Sequence, residues 1–149
     1  MSFNITPPPS EMEKRDEVLA KAYTNLIYFG RAFLPNDFLK KSESAPFHYE
    51  MAEKMIDTKP GARICNIIPR GHGKSVVAKA AIMHKLCFAQ EGDQHFIAWV
   101  SEEQSQAIDH IKYIQNHIDI NPALQYYFGD LKGSKWTEKE FTTARGDRI

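Results

Sequence analysis

The stretch from Arg63 to Ser75 constrains the fold more than any other part of this sequence. It starts as an apolar, strand-like run, breaks at proline and glycine, and ends in Gly73-Lys74-Ser75. Residues 75–86 are rich in alanine and apolar on most faces, which predicts a helix packed on a sheet. A strand, a glycine turn and a helix in this order leave several backbone N–H groups pointing at one spot, and that spot favours an anion.

The loop contains the residues of a triphosphate site. Lys74 is expected to neutralise β- and γ-phosphate oxygens, and Ser75 to offer its hydroxyl to Mg²⁺. Arg70 is a second cation beside the loop, as a site for a tetra-anionic ligand would use. In the general pattern G-x-x-x-x-G-K-[ST], Ile68 stands where the first glycine is expected, and a glycine follows at Gly71 instead. The alternative is an ordinary strand-to-helix turn with a solvated lysine.

The run Ile68–Ser75 resembles the divergent Walker A loop of the large terminase subunit of tailed bacteriophages. That subunit is the ATP-driven motor that packs DNA into the procapsid, and an arginine precedes the glycine turn of its loop. The resemblance implies an α/β fold of the P-loop NTPase type, with a parallel sheet flanked by helices. It also implies a site for ATP and Mg²⁺ formed by Arg70, Gly71, His72, Gly73, Lys74 and Ser75.

The same resemblance implies individual roles. Lys74 and Arg70 would be the catalytic cations, with Arg70 on the γ-phosphate, and Ser75 would be the metal ligand. Upstream, Phe47-His48 resembles a short terminase motif in which an aromatic residue precedes a Gln or His near the adenine ring. Because imidazole can donate or accept a hydrogen bond, Phe47 and His48 are expected beside the base. The alternative is a partly buried histidine at the start of a helix.

The rest of the chain predicts alternating helices and strands. After a proline-rich lead-in, the pattern predicts helices from about Glu11 (capped by Ser10) to Phe33 and from about Pro46 to Asp57. It then predicts a buried strand at 95–101 and a helix that is capped by Ser101 and ends at Asn121-Pro122. The terminase resemblance implies a Trp-containing strand at 135–143. This order favours a parallel sheet with helices on its faces. We therefore expect an N-terminal extension and helix at 1–43 and a partial P-loop ATPase domain at 44–149.

A P-loop motor also needs an acidic pair at the end of an apolar strand, to hold Mg²⁺ and to polarise the attacking water. Nothing here qualifies, since Glu102 and Glu103 follow the loop too closely and Asp147 has no strand before it. In large terminases this Walker B strand and the nuclease domain come later than this chain reaches. We therefore expect a chain truncated inside the ATPase domain that binds ATP and hardly hydrolyses it alone.

Composition adds weaker constraints. The formal net charge is zero, so nothing global indicates a nucleic-acid coat or a membrane surface, and no apolar run is long enough to span a bilayer. The segment 58–90 contains no Asp or Glu and six cations, Lys59, Arg63, Arg70, Lys74, Lys79 and Lys85. Such a segment favours a nearby anion, although a solvated helix face is the alternative. Cys65 and Cys87 lie in apolar runs without metal-ligand spacing, which predicts buried thiols.

The terminase resemblance implies double-stranded viral DNA, a portal and a small terminase subunit as partners, a ring of identical subunits, no membrane, and the cytoplasm of an infected bacterium as location. Two other functions stay open. One is a nucleotide-binding module without turnover. The other is a different P-loop enzyme, such as a helicase or a kinase; a helicase would have a Gln upstream, where His48 stands, and an Asp-Glu box downstream, which is absent.

Overall fold

A computed structural model describes residues 9–38, 43–90 and 92–149 of the chain. The described elements are α1 (Pro9–Thr24), α2 (Leu26–Phe33), α3 (Pro46–Ile56), α4 (Lys74–Phe88), α5 (Gln104–Ile120), α6 (Pro122–Phe128), β1 (Lys132–Trp136) and β2 (Phe141–Thr143). The start of the predicted proline-rich lead-in lies outside the described residues. Pro9 and Ser10 are already helical, so the prediction of Ser10 as a helix cap is wrong.

The predicted α/β fold with a parallel P-loop sheet is wrong. The described chain is mostly helical, and its one sheet is the antiparallel pair β1–β2. Residues 63–69 form no strand and do not pair with the backbone of another described segment, and 95–101 form only one parallel bridge, between Phe96 and Arg148. The side chains of Ile67 and Val100 are accordingly 93% and 88% exposed. An apolar run suits a strand, but a sheet forms only where a neighbouring strand supplies hydrogen-bond partners.

The helix predicted from about Glu11 to Phe33 is broken at Asn25. Its backbone is extended there (φ −136°, ψ 103°), and its side chain accepts a hydrogen bond from the Tyr28 N–H, capping α2. On the other side of the break, His84 Nε2 lies 3.1 Å from the Ala22 carbonyl oxygen and 3.0 Å from that of Tyr23. Burial lowers the pKa of His84, so the ring stays neutral and caps the end of α1.

Helix α4 lies at the centre of the fold, in contact with α2, α3 and α5. Its buried face includes Val77, Met83 and Leu86, and the largest fully buried side chains of the other elements are Phe29, Phe33, Phe141, Leu26, Ile27, Leu34, Ile114 and Leu124. The far end of α4 is capped by Arg145, whose Nη1 donates to the carbonyl oxygens of Cys87 (3.0 Å) and Ala89 (2.7 Å). Cys87 is buried as predicted, whereas Cys65 is exposed, because its segment has no sheet to cover it.

The C-terminal hairpin is attached to the segment after α4 through Asp147. This carboxylate is 0% exposed and accepts hydrogen bonds from the backbone N–H of His95 (2.9 Å), from His95 Nδ1 (2.8 Å) and from the Thr143 hydroxyl (2.7 Å). Beside it, the Ile97 N–H donates to the Arg148 carbonyl and the Arg148 N–H to the His95 carbonyl. Asp147 therefore fixes the position of residues 95–97.

We expect Asp147→Asn to lower the free energy of unfolding by about 2–3 kcal/mol, because an amide N–H₂ would face donors where the carboxylate accepts. Urea unfolding at pH 7 measures this. The matched control is Asp109→Asn, an exposed position on α5, which should change stability by less than about 0.5 kcal/mol. Equal losses in the two variants would contradict the role given to Asp147.

The stabilisation should also depend on pH. Burial alone would raise the pKa of Asp147, but the hydrogen bonds from Thr143 and His95 outweigh it and hold the pKa below the ordinary value of 3.8. A lowered pKa gives stability that is present above the unfolded pKa and is lost as pH falls through the folded pKa. The difference between wild type and Asp147→Asn should therefore be present at neutral pH and shrink below pH 3.8.

Candidate functional site

The loop before α4 is shaped by two glycines. Gly71 and Gly73 have φ values of +80° and +74°, a region that side chains rarely adopt. Gly73 is the N-cap of α4, which begins at Lys74. The two positive φ angles turn the chain sharply at the start of a 15-residue helix. The glycines of the sequence motif therefore meet a backbone requirement.

The loop leaves a group of backbone donors unpaired. From Gly71 to Val76, no N–H donates to another described residue, and the first paired N–H is that of Val77, which donates to the Gly73 carbonyl (3.0 Å). Half-buried or exposed N–H groups at a helix N-terminus carry partial positive charge. Donors concentrated in this way form a potential site for an anion with several oxygens.

Lys74 folds back over this loop. Its Nζ donates to the carbonyl oxygens of Ile68 and Pro69, the second at 2.7 Å. An ammonium group has three donors, so one is left after these two contacts. The positive charge of Lys74 is thus held across the same turn that leaves the N–H groups unpaired.

Arg70 and Ser75 are exposed at the loop, and their side chains make no hydrogen bond or ion pair with other described residues. Their predicted contacts with the γ-phosphate and with Mg²⁺ stay predictions. Ser75 would give a magnesium ion one hydroxyl oxygen. Over the described ranges no group of three or more His, Cys, Asp or Glu could hold a metal ion.

His48 joins helix α3 to the loop. Its Nδ1 accepts from the Ala45 N–H (3.1 Å), so Nε2 carries the proton and donates to the His72 carbonyl (2.8 Å). His72 in turn donates from Nδ1 to the Arg70 carbonyl (2.8 Å). The Phe47 ring lies 4.1 Å from that of His48 and 6.3 Å from that of His72, centroid to centroid. The structure thus brings Phe47 and His48 to the predicted loop.

The predicted adenine contact of His48 stays a prediction, and the structure gives this residue a second task. Both of its ring nitrogens are engaged with backbone groups, so it supports the loop directly. The Phe-His pair could be recognised in the sequence because of its place at the start of a helix. The closeness of this pair to the loop in space could not be recognised in the same way, because residues 49–70 separate the two in the sequence.

A small cavity lies beside the loop. Its volume is about 140 Å³, and it is lined by Ile27, Asp37, Phe38, Glu43, Ser44, His48, Gly73, Val76 and Val77. Sequence reasoning missed Asp37, which lies in the turn after α2 and accepts a hydrogen bond from the Tyr113 hydroxyl. The Lys79 Nζ lies 3.6 Å from the centre of the Tyr113 ring. Only the Pro35-Asn36-Asp37 turn signal marked this position in the sequence.

Two of the acidic residues considered for the reaction have structural roles in the fold. Asp147 is committed to His95 and Thr143, and Glu103 is the N-cap residue of α5, where it accepts from the Ser105 hydroxyl. Within the part of the chain that is described, no helix is both long and apolar enough to cross a membrane.

No family model, curated protein or solved structure matches this chain. The residues of the loop and their geometry are therefore the basis for a function.

We expect Gly73→Ala to destabilise the protein more than Gly71→Ala. Both variants force a side chain into the left-handed region, at a cost of about 1–2 kcal/mol. A Cβ on Gly73 would also lie 3.3 Å from His48 Nε2, whereas one on Gly71 would meet nothing within 4 Å. Urea unfolding measures both losses. When both substitutions are repeated in a His48→Ala background, the additional stability loss of Gly73→Ala should disappear. If that additional loss persists, it does not come from the contact with His48.

Proposed function

We propose that this chain binds Mg·ATP at residues 68–75 and belongs to the ATPase part of a phage DNA-packaging motor, the large terminase subunit that its loop resembles. The observation that carries the proposal is the row of unpaired N–H groups from Gly71 to Val76 beside the Lys74 ammonium. Partial and full positive charge at one turn supports a polyanionic ligand.

The arrangement supports a triphosphate better than a single carboxylate. A carboxylate has two oxygens, which this number of donors would exceed, whereas a triphosphate offers oxygens along a chain. Lys74 would exchange the Ile68 and Pro69 carbonyls for charged phosphate oxygens, and such hydrogen bonds are roughly twice as strong as neutral ones. Arg70 would contact the terminal phosphate from the exposed side of the loop.

The motor function comes from the sequence resemblance. It would place the chain in the cytoplasm of an infected bacterium, in a ring of identical subunits that contacts double-stranded DNA, a portal and a small terminase subunit. In that setting the phosphate loop would couple ATP binding to movement of DNA.

A second function has its own support. Asp147 is buried and hydrogen-bonded to His95 and Thr143, and Glu103 is the N-cap residue of α5, so both carboxylates already have structural roles. Phosphoryl transfer depends on positioning and electrostatics, including a group that orients the attacking water. The chain alone would then be a nucleotide-binding module without turnover.

Lys74→Ala should weaken Mg·ATP binding roughly ten- to hundredfold, the worth of a charge-assisted hydrogen bond in the site. Calorimetric titration measures the dissociation constant. Lys59→Ala is the matched control, because it removes an exposed lysine of the same basic segment and changes the net charge equally. Equal affinities of wild type and Lys74→Ala would refute the phosphate-loop assignment.

The isolated chain should bind ATP and release phosphate hardly above the uncatalysed rate, because none of the carboxylates considered from the sequence, Glu102, Glu103 and Asp147, is expected to orient the attacking water. A phosphate-release assay measures this, with Lys74→Ala as the control for contaminating ATPases. Robust release that disappears in Lys74→Ala would show that the chain completes its own catalytic site. The binding module would then be excluded, and the ATPase reading retained.

A further inference from the structure

The cavity beside the loop is suited to one part of a ligand. Pockets for whole small molecules are about 300–1,000 Å³, and this one is about 140 Å³. Its walls are apolar where Ile27, Phe38, Val76 and Val77 line it. Phe38 is fixed against α2, since a Cβ on Gly30 would lie 2.6 Å from its ring. A small, largely apolar group attached to a phosphate chain in the loop would suit a cavity of this size and lining.

The polar residues that line the cavity limit which side chain could hydrogen-bond a ligand there. His48 has both ring nitrogens engaged, with the Ala45 N–H and the His72 carbonyl. Besides the Ser44 hydroxyl, the cavity offers two carboxylates, those of Asp37 and Glu43. Only the Asp37 carboxylate is held in place by another described side chain, because its Oδ2 accepts a hydrogen bond from the Tyr113 hydroxyl.

The second oxygen of Asp37 is the one that can serve a ligand. Among the described residues, Oδ1 accepts no hydrogen bond. Tyr113 stays a neutral donor, since burial and the neighbouring Asp37 raise its pKa. Lys79 lies over the Tyr113 ring and adds a cation close to Asp37. A carboxylate oxygen held in this way can accept a hydrogen bond from an N–H donor of a ligand.

We propose that Asp37, positioned by Tyr113, reads the base of the bound nucleotide and selects a 6-amino purine over a 6-oxo purine. The exocyclic amine of adenine would donate to Asp37 Oδ1, whereas the C6 carbonyl of a 6-oxo purine would place an acceptor against that oxygen. A site built to pair with one polar group discriminates strongly, because a mismatch leaves both groups unpaired. This inference rests on the proposed nucleotide binding and assigns the base contact to Asp37 in place of His48.

The test compares three ligands by calorimetry: ATP, inosine triphosphate and inorganic tripolyphosphate. Wild type should bind ATP roughly ten- to hundredfold more tightly than inosine triphosphate, the range for a hydrogen bond to a charged group. Asp37→Asn should lose or reverse this ratio, because its amide N–H₂ can donate to the C6 carbonyl. Affinity for tripolyphosphate should not change, since Asp37 is not part of the phosphate loop.

Three further variants make the test specific. Glu43→Gln changes the other carboxylate of the cavity and should keep the preference for ATP. Tyr113→Phe leaves Asp37 without its partner and should reduce the preference while sparing tripolyphosphate, and Tyr126→Phe, an exposed tyrosine on α6, should change neither. Circular dichroism establishes that each variant is folded.

The outcomes separate the inference from the proposed function. If wild type binds neither ATP nor tripolyphosphate, nucleotide binding itself fails, and the base assignment fails with it. If wild type binds both but has no preference for ATP over inosine triphosphate, only the inference is overturned. A preference that survives Asp37→Asn, or that Glu43→Gln removes, also overturns it.

Discussion

The architecture depends on one constraint: helix α4 must be buried along one face while the N–H groups at its start stay uncovered. Helices α2, α3 and α5 surround it, and Val77, the first residue with a paired N–H after the loop, is also the first fully buried one. The boundary between core and site therefore lies within one helical turn. Packing fixes the helix axis, and the axis fixes the direction in which its partial positive charge points.

His48 makes this arrangement rigid without blocking it. It holds the loop by a carbonyl, that of His72, and so leaves the N–H groups of the turn available. A side chain that capped the helix in the usual way would accept from those N–H groups and occupy the anion site. Gly73 at the N-cap has no such side chain, which explains why the support comes from another helix.

Local features of the sequence predicted local structure well. The helix behind the loop, the glycine positions and the Asn121-Pro122 boundary between α5 and α6 follow from propensity, turn chemistry and capping. The helix break at Asn25 could have been predicted, since asparagine is a strong N-cap, but the continuous apolar pattern favoured one helix. The sheet was predicted wrongly, because the pattern of residues 63–69 describes a surface that suits strand pairing and carries no information about whether a partner is there. Contacts between distant residues, such as Asp147 with His95 or Asp37 with Tyr113, have no local signal, and for that reason neither could be inferred.

Different parts of the chain hold the two ends of α4 by hydrogen bonds. His48 of α3 holds the loop before the helix, and Arg145 holds the opposite end. A helix of 15 residues is about 22 Å long at 1.5 Å per residue, and hydrogen-bonded helices hardly compress. The helix is therefore a stiff element whose two ends are both held by side-chain hydrogen bonds. A tilt of the helix at the glycine turn would therefore also move the carbonyl groups that Arg145 holds at its other end.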